Sequence, residues 1–295
     1  MLPLSSEPRR LGTSDIPVSP IAWGMWRFAG NDVTTARALI EAALAAGITL
    51  FDTADIYGVG TPGGFGSAEA LLGRVLAEAP ALGEHMVLAT KGGIIPGIPY
   101  DSGADYLAAA LDASLARLGI DHVDLWQVHR PDLMTHPEEL AKTLTRMIES
   151  GKTRAVGVSN FSPSQTRALQ AWLPFPLASH QPEFSAFHTQ PLRDGILDQA
   201  MERDMAVLAW SPLGGGRLNG DGAVAALLDA KAQESGASRA AAALAWIMAH
   251  PARAIPILGT QTPARIAEAS RAFDILWTRA EWYAVLEAST GERLP

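Results

Sequence analysis

Eight short apolar runs alternating with helical patterns predict an α/β chain folded as a closed parallel (β/α)8 TIM barrel, with an N-terminal β-hairpin and extra C-terminal helices. Three observations carry this. Strand-like and helix-like patterns alternate over most of the chain. The connections between them are short, as right-handed strand–helix units require. The 295 residues are 48% hydrophobic and only 18% charged, which suits a large buried core. Single barrels run to roughly 250 residues, so one domain over 1–295 is expected. No linker, low-complexity tract or fixed-period repeat interrupts it.

A small hairpin is predicted at 9–19, where Gly12 and Ser14-Asp15 separate two extended stretches. The first barrel strand follows at 20–23 and its helix at 33–46, with Gly47 placed to end that helix in the left-handed conformation. The second unit is strand 48–52, a glycine-rich loop at 58–66 and helix 67–76. The third is strand 86–91, loop 92–102 and helix 106–118, where Leu107, Leu111, Leu115 and Leu118 recur at helical spacing. Strand 123–129 and helix 137–150, stopped by Gly151, make the fourth. Strand 155–159 leads to Ser162-Pro163, a cap and a first-turn proline. Strand 178–181 with helix 193–203, strand 206–210 with helices 222–234 and 238–249, and strand 255–258 with helix 262–272 complete the eight. A last helix covers 279–290.

The net charge of −8 argues against nucleic acid or an anionic membrane as the main partner, while leaving small anions open. The chain has no cysteine, which removes disulfides, thiolate catalysis and cysteine-ligated metals. Met1-Leu2-Pro3-Leu4-Ser5-Ser6 holds no apolar stretch of signal-peptide length, and no run approaches the roughly 18 apolar residues of a membrane span. A soluble, cytoplasmic protein is expected. Its oligomeric state leaves no mark in the sequence.

Four polar residues stand where strand-like runs end or just beyond: Asp52, Tyr57, Lys91 and His129. A barrel gathers the C-terminal ends of its strands around one mouth, so these four are expected to converge. A buried Lys and Asp are costly unless they pair. A Tyr beside such a pair has a phenol made easier to ionise by the lysine, and His129 is placed to donate to a carbonyl oxygen. Taken singly, each residue reads better as part of a structural ion pair or as a satisfied core histidine. Four at adjacent strand ends point to a general-acid site.

Longer motifs extend this. Phe51-Asp52-Thr53-Ala54-Asp55-Ile56-Tyr57-Gly58, the stretch from Leu118-Gly119-Ile120-Asp121 to His129-Arg130-Pro131-Asp132, and Gly151-Lys152-Thr153-Arg154-Ala155-Val156-Gly157-Val158-Ser159-Asn160-Phe161 resemble, in order, the signatures of the aldo-keto reductases. The resemblance runs from about Arg10 to Ala272. Ala209-Trp210-Ser211-Pro212-Leu213-Gly214-Gly215-Gly216-Arg217 and the Trp-containing last helix are similar to the bacterial YdhF-like branch. The resemblance implies an NADPH-dependent carbonyl reductase with Tyr57 as general acid, Asp52 and Lys91 as its tuning pair, His129 orienting the carbonyl, and no metal. It also implies a small-molecule carbonyl substrate.

It carries cofactor roles to individual residues. Ser159, Asn160 and Gln181 match the groups that bind the carboxamide, and Trp210 matches the aromatic that stacks on nicotinamide. Ser211, Leu213, Gly215 and Arg217 match the pyrophosphate loop, where glycines admit backbone N–H groups to an anion. Thr260, Arg265 and Glu268 match the adenosine end. Many relatives carry Lys where this chain has Gly259, so NADPH is expected with NADH as the other candidate. Met25, Trp26 and Arg27 follow the first strand and are expected at the mouth: Met25 toward cofactor, Trp26 as an apolar substrate wall, and Arg27 facing a substrate carboxylate. Loops 92–102 and 184–190 are expected to border the pocket, and His85, His122, His136, His180, His188 and His250 to be structural or superficial. Two rivals stand beside this reading. A metal-dependent barrel hydrolase needs several His and Asp ligands, and the first strand offers no His-x-His. A non-catalytic NADPH-binding regulatory subunit would retain the same four residues.

Overall fold

A computed structural model describes residues 4–294. Met1–Pro3 of the N-terminal segment considered above lie outside the described residues. Strands β1 (Arg9–Arg10) and β2 (Pro17–Val18) form the antiparallel hairpin. The barrel strands are β3 (Ala22–Gly24), β4 (Leu50–Asp52), β5 (Val87–Gly92), β6 (Val123–Val128), β7 (Thr153–Ser159), β8 (Ser179–Gln181), β9 (Ala206–Ala209) and β10 (Ile255–Leu258). They pair in parallel in chain order, and β10 closes onto β3. The helices are α1 (Val33–Ala45), α2 (Ser67–Glu78), α3 (Ala104–Leu118), α4 (Pro137–Glu149), α5 (Pro163–Gln170), α6 (Ile196–Glu202), α7 (Ala223–Ser235), α8 (Arg239–Met248), α9 (Pro263–Glu268) and α10 (Arg279–Thr290). None is long and apolar enough to cross a membrane.

Two apolar layers follow from strand periodicity. Inside the barrel, Ala22, Leu50, Ala89, Leu125, Ala155, Leu208, Ile255 and Ile257 share a cluster with Leu11, Ile16 and Val18 of the hairpin. The hairpin thus packs into the barrel interior, against the backbone just before β8 and β9. The neighbouring strand residues, such as Trp23, Phe51, Leu88, Trp126 and Val156, pack outward against the helices. Closing one end in this way leaves the strand C-termini as the open mouth.

Helices α1, α4, α5, α8 and α10 start at a side-chain cap. Ser162 and Gln165 form a reciprocal capping box on α5, as Thr278 and Glu281 do on α10. The helix expected at 193–203 begins only at Ile196, because Gly195 takes φ +85° after a 3₁₀ turn at Gln190–Leu192. The helix expected at 262–272 ends as α9 at Glu268 and continues as a 3₁₀ turn over Ala269–Asp274. The Trp-containing last helix is fastened to α8 by paired indoles. Trp246 and Trp282 stack at 4.7 Å, and each Nε1 donates to the other's carbonyl oxygen at 3.0 Å.

Candidate active site

The barrel brings Asp52, Tyr57, Lys91 and His129 together at the mouth. Lys91 Nζ donates to Asp52 Oδ2 (2.6 Å) and to Thr53 O (2.8 Å), and both side chains of the pair are buried. Asp52 Oδ1 accepts from Gln181 Nε2 (2.8 Å) and from Gln127 Nε2 (3.5 Å). Every strong acceptor site of this carboxylate has a donor, which offsets the cost of burying it. The Tyr57 ring centroid lies 5.0 Å from Lys91 Nζ and 6.1 Å from the His129 ring. Trp26 packs its ring edge-to-face on Tyr57 at 5.1 Å and is 58% exposed. The His129 backbone N–H donates to Gly92 O (2.9 Å).

Burial sets the electrostatics. It is the largest influence on Lys91 and would depress its ammonium, but Asp52 and Tyr57 together outweigh it and hold the lysine above its usual range. On Tyr57, burial raises the phenol more than Lys91 lowers it, so the net shift is upward. This corrects the expectation that Lys91 brings the phenol down overall: the lysine limits a rise caused by desolvation. His129 is pushed well below the ordinary histidine range, by burial first and then by Lys91 and Arg130. Its ring is therefore neutral at pH 7. Its Nδ1 is buried without a partner, which leaves Nε2 to serve the cleft.

A second polar group links β7, β8 and β9. Asn160 takes φ +60°, a conformation Asn tolerates better than most residues. Its Nδ2 donates to Ser159 Oγ (2.7 Å) and His129 O (3.2 Å), and its Oδ1 accepts from Trp210 Nε1 (3.0 Å). Ser159 Oγ donates in turn to Gln181 O (2.9 Å). Gln181 Oε1 takes no donor among the described residues. All four expected carboxamide-side residues thus meet at one rim and hold one another in place.

These groups line one end of a cleft of about 1070 Å³ that continues past Ser211, Leu213 and Gly215 to Thr260, Arg265 and Glu268. Gly214, Gly215 and Gly216 all have positive φ, a path open to glycine. The expectations for Met25, for Arg217 and for loops 92–102 and 184–190 are corrected. The Met25 side chain is fully buried in the outer core, and Gly24 and Trp26 line the cleft on either side of it in sequence. Arg217 is absent from the lining, because the glycine turn folds it back: Nε donates to Gly214 O (2.9 Å), Nη1 to Phe187 O (2.6 Å), and Nη2 lies 3.5 Å from Glu183. Arg27 lines the cleft, where it was expected, and its Nη1 reaches Gly259 O (3.4 Å) in the loop after β10. Loops 92–102 and 184–190 contribute nothing to the lining.

Three lining or supporting residues escape a sequence reading. Arg239 lines the cleft and binds Asp229, Leu218 O (2.7 Å) and Gly220 O (3.0 Å), bracing the glycine turn against α8. Arg130 lines it beside His129, with Cζ 5.7 Å from the Trp210 ring centre. Gln127 bonds Asp52 and Ser179, and the alternation of β6, which sets Gln127 and His129 two residues apart, is the signal for it. Among the described residues no group of three or more His, Asp or Glu side chains is disposed to hold a metal ion.

Comparison with known proteins agrees with this geometry. Residues 20–289 match the Aldo/keto reductase family. A 6-dehydroglucose reductase of Novosphingobium aromaticivorans is 56% identical over 301 residues, covering 100% of this chain and 99% of the relative. The oxidoreductase YdhF of Escherichia coli is 34% identical over 290 residues, covering 94% and 95%. Among solved structures, a glycerol dehydrogenase from Gluconobacter oxydans superposes with a TM-score of 0.85 at 29% identity, over 98% of this chain and 97% of that one. The likeness to the YdhF branch holds, and a 6-dehydroglucose reductase is more similar still. With its strand-end constellation intact and nearly its whole length matched, the chain is an oxidoreductase that belongs to the Aldo/keto reductase family.

Proposed function

We propose that the enzyme reduces an aldehyde or ketone with NADPH, and that its substrate is a sugar-type aldehyde of the kind named for its 6-dehydroglucose reductase relatives. The observation that carries this is the buried Asp52–Lys91 pair beside a protonated phenol and a neutral imidazole. The cleft suits a dinucleotide. It is long and large, its far end presents Arg265 and the Thr260 backbone, and Gln181 Oε1 keeps an acceptor for an amide N–H. When bound, the reduced nicotinamide supplies hydride to the carbonyl carbon.

Every other part of the reaction falls to the chain. His129, neutral and protonated at Nε2, donates that N–H to the carbonyl oxygen and orients it. As hydride arrives, negative charge grows on that oxygen, and the Tyr57 phenol gives it a proton. A phenol held above its usual range is fully protonated at pH 7 and ready to act as acid. Lys91, fixed by Asp52, stabilises the phenolate left behind until water reprotonates it. Asn160, Ser159 and Trp210 keep this rim rigid. Arg265 and Thr260 favour a 2′-phosphate, so NADPH is expected to bind more tightly than NADH.

Substitution Tyr57→Phe tests the reading. It should cut reduction of an aldehyde by about 10²–10⁴-fold, the usual worth of a placed acid, and leave NADPH affinity by fluorescence titration within about twofold. Persistent reduction, or loss of cofactor binding instead, contradicts the role of Tyr57.

A further inference from the structure

We infer that Arg130 is a specificity-determining residue, donating hydrogen bonds to substrate hydroxyls near the carbonyl so that the site selects polyhydroxylated aldehydes. This rests on the reductase reading above. Arg130 directly follows His129 and lines the cleft. Pro131 confines its backbone to extended conformations. Asp132 pins the same loop, accepting from Ser102 N–H (2.9 Å), Met134 N–H (2.9 Å) and Thr135 Oγ (2.7 Å). The guanidinium is held over the Trp210 ring, 5.7 Å from its centre. Its place is therefore fixed from three sides.

Its donors are not used. A guanidinium carries five N–H groups and stays charged at any working pH. Among the described residues none of those groups of Arg130 meets an acceptor, and no carboxylate pairs with it. Arg239 in the same cleft makes four side-chain hydrogen bonds, and Arg27 reaches Gly259 O. Arg130 is half-buried and none of its nitrogens is sealed from solvent, so water serves these donors until the oxygens of a ligand replace it.

Its position says which ligand. Beside His129 and Trp210, it belongs to the end of the cleft where the carbonyl is reduced, away from Arg265. The same end presents the exposed Trp26 ring packed on Tyr57. Apolar ring faces together with a fork of donors fit the C–H faces and hydroxyl oxygens of a sugar chain. A plain alkyl aldehyde would leave the fork unmatched.

The test uses Arg130→Met, which keeps the stem and removes the donors. Three aldehydes are compared with the full-length enzyme and saturating NADPH: glyceraldehyde, propanal and succinic semialdehyde. For glyceraldehyde, kcat/KM should fall about 10- to 100-fold, mainly through KM, while propanal changes by no more than about twofold. Arg130→Lys, which keeps the charge but loses the fork, should fall between the two. A second readout is independent of turnover: quenching of tryptophan fluorescence by glycerol should weaken in Arg130→Met. Equal losses on glyceraldehyde and propanal would mean that Arg130 acts through His129 and not on hydroxyls. A loss confined to succinic semialdehyde would mark it as a carboxylate reader. No loss at all also overturns the proposal. If the unaltered enzyme reduces none of the three, the reductase reading itself fails. An enzyme that reduces propanal and glyceraldehyde equally well before and after substitution sinks only the role of Arg130.

Discussion

Replacing Asp52 by Asn removes one charge from the centre of the site and almost nothing else. The side chains of Lys91 and Asp52 are 0% and 3% exposed, with Nζ 2.6 Å from Oδ2. After the change, the ammonium keeps Thr53 O at 2.8 Å, the face of Tyr57 and at most a neutral amide oxygen in place of the carboxylate. Breaking a buried pair from one side costs about 3–5 kcal/mol, because an uncompensated charge stays behind. That loss should appear in urea unfolding at pH 7. Its pH dependence has a definite sign. Without Asp52, burial is left as the dominant influence and pulls the folded Lys91 below its ordinary 10.5. The unfolded chain then binds more protons than the folded one, so stability rises with pH across that window. The penalty should shrink steadily from pH 7 toward about pH 10.

The double variant Asp52→Asn/Lys91→Met carries the same logic further. With both charges gone, most of the loss should return, giving a coupling of about 2–3 kcal/mol in the cycle. Both variants should be inactive as reductases, so stability and activity separate cleanly. A single-variant penalty under about 1 kcal/mol that is flat with pH would refute the reasoning, as would a double variant no more stable than Asp52→Asn.

Other outcomes follow from neighbouring groups. Asp55 is fully buried, neither oxygen has a partner, and burial first and Glu69 second push it up to about 8. A raised carboxyl costs stability between its unfolded pKa, 3.8, and the folded value, so Asp55→Asn should stabilise increasingly from pH 4 to pH 8. The gain at pH 8, read by urea unfolding, has a ceiling of about 6 kcal/mol at 1.36 kcal/mol per pH unit. A gain that is the same at pH 4 and pH 8 would show that Asp55 is not held protonated. Arg239→Met frees the glycine turn from α8, and should weaken NADPH binding roughly tenfold in fluorescence titration while kcat at saturating cofactor holds. A fall in kcat with unchanged affinity would place Arg239 outside the cofactor's support.

How much of this the sequence discloses depends on the range of the interaction. The fold and the four strand-end residues are legible because parallel closure alone brings successive C-termini together, wherever the loops go. The rim of Ser159, Asn160, Gln181 and Trp210 is legible in place for the same reason. Its internal bonding is not: Trp210 and Asn160 are joined across fifty residues by a single 3.0 Å bond that no local pattern announces. Arg217 and Arg239 show the limit most sharply. Both are arginines after β9, and composition cannot rank them. Three successive positive-φ glycines turn the chain so that Arg217 bonds its own turn and Phe187 O, and Arg239, at the start of α8, takes the place at the cleft.

Tyr57 fails differently. Its neighbours are named correctly from sequence, but the sign of its shift is a contest between Lys91 and desolvation, and only burial decides it. Arg130 lies between these cases. Its position beside His129 is plain in the sequence, yet its interest is that no described residue accepts from its guanidinium, which depends on every other side chain of the mouth. A charge that the fold positions on three sides and leaves unmatched is information about what enters from outside. That is why the proposed preference for hydroxylated aldehydes, the least legible property in the sequence, is argued from the structure.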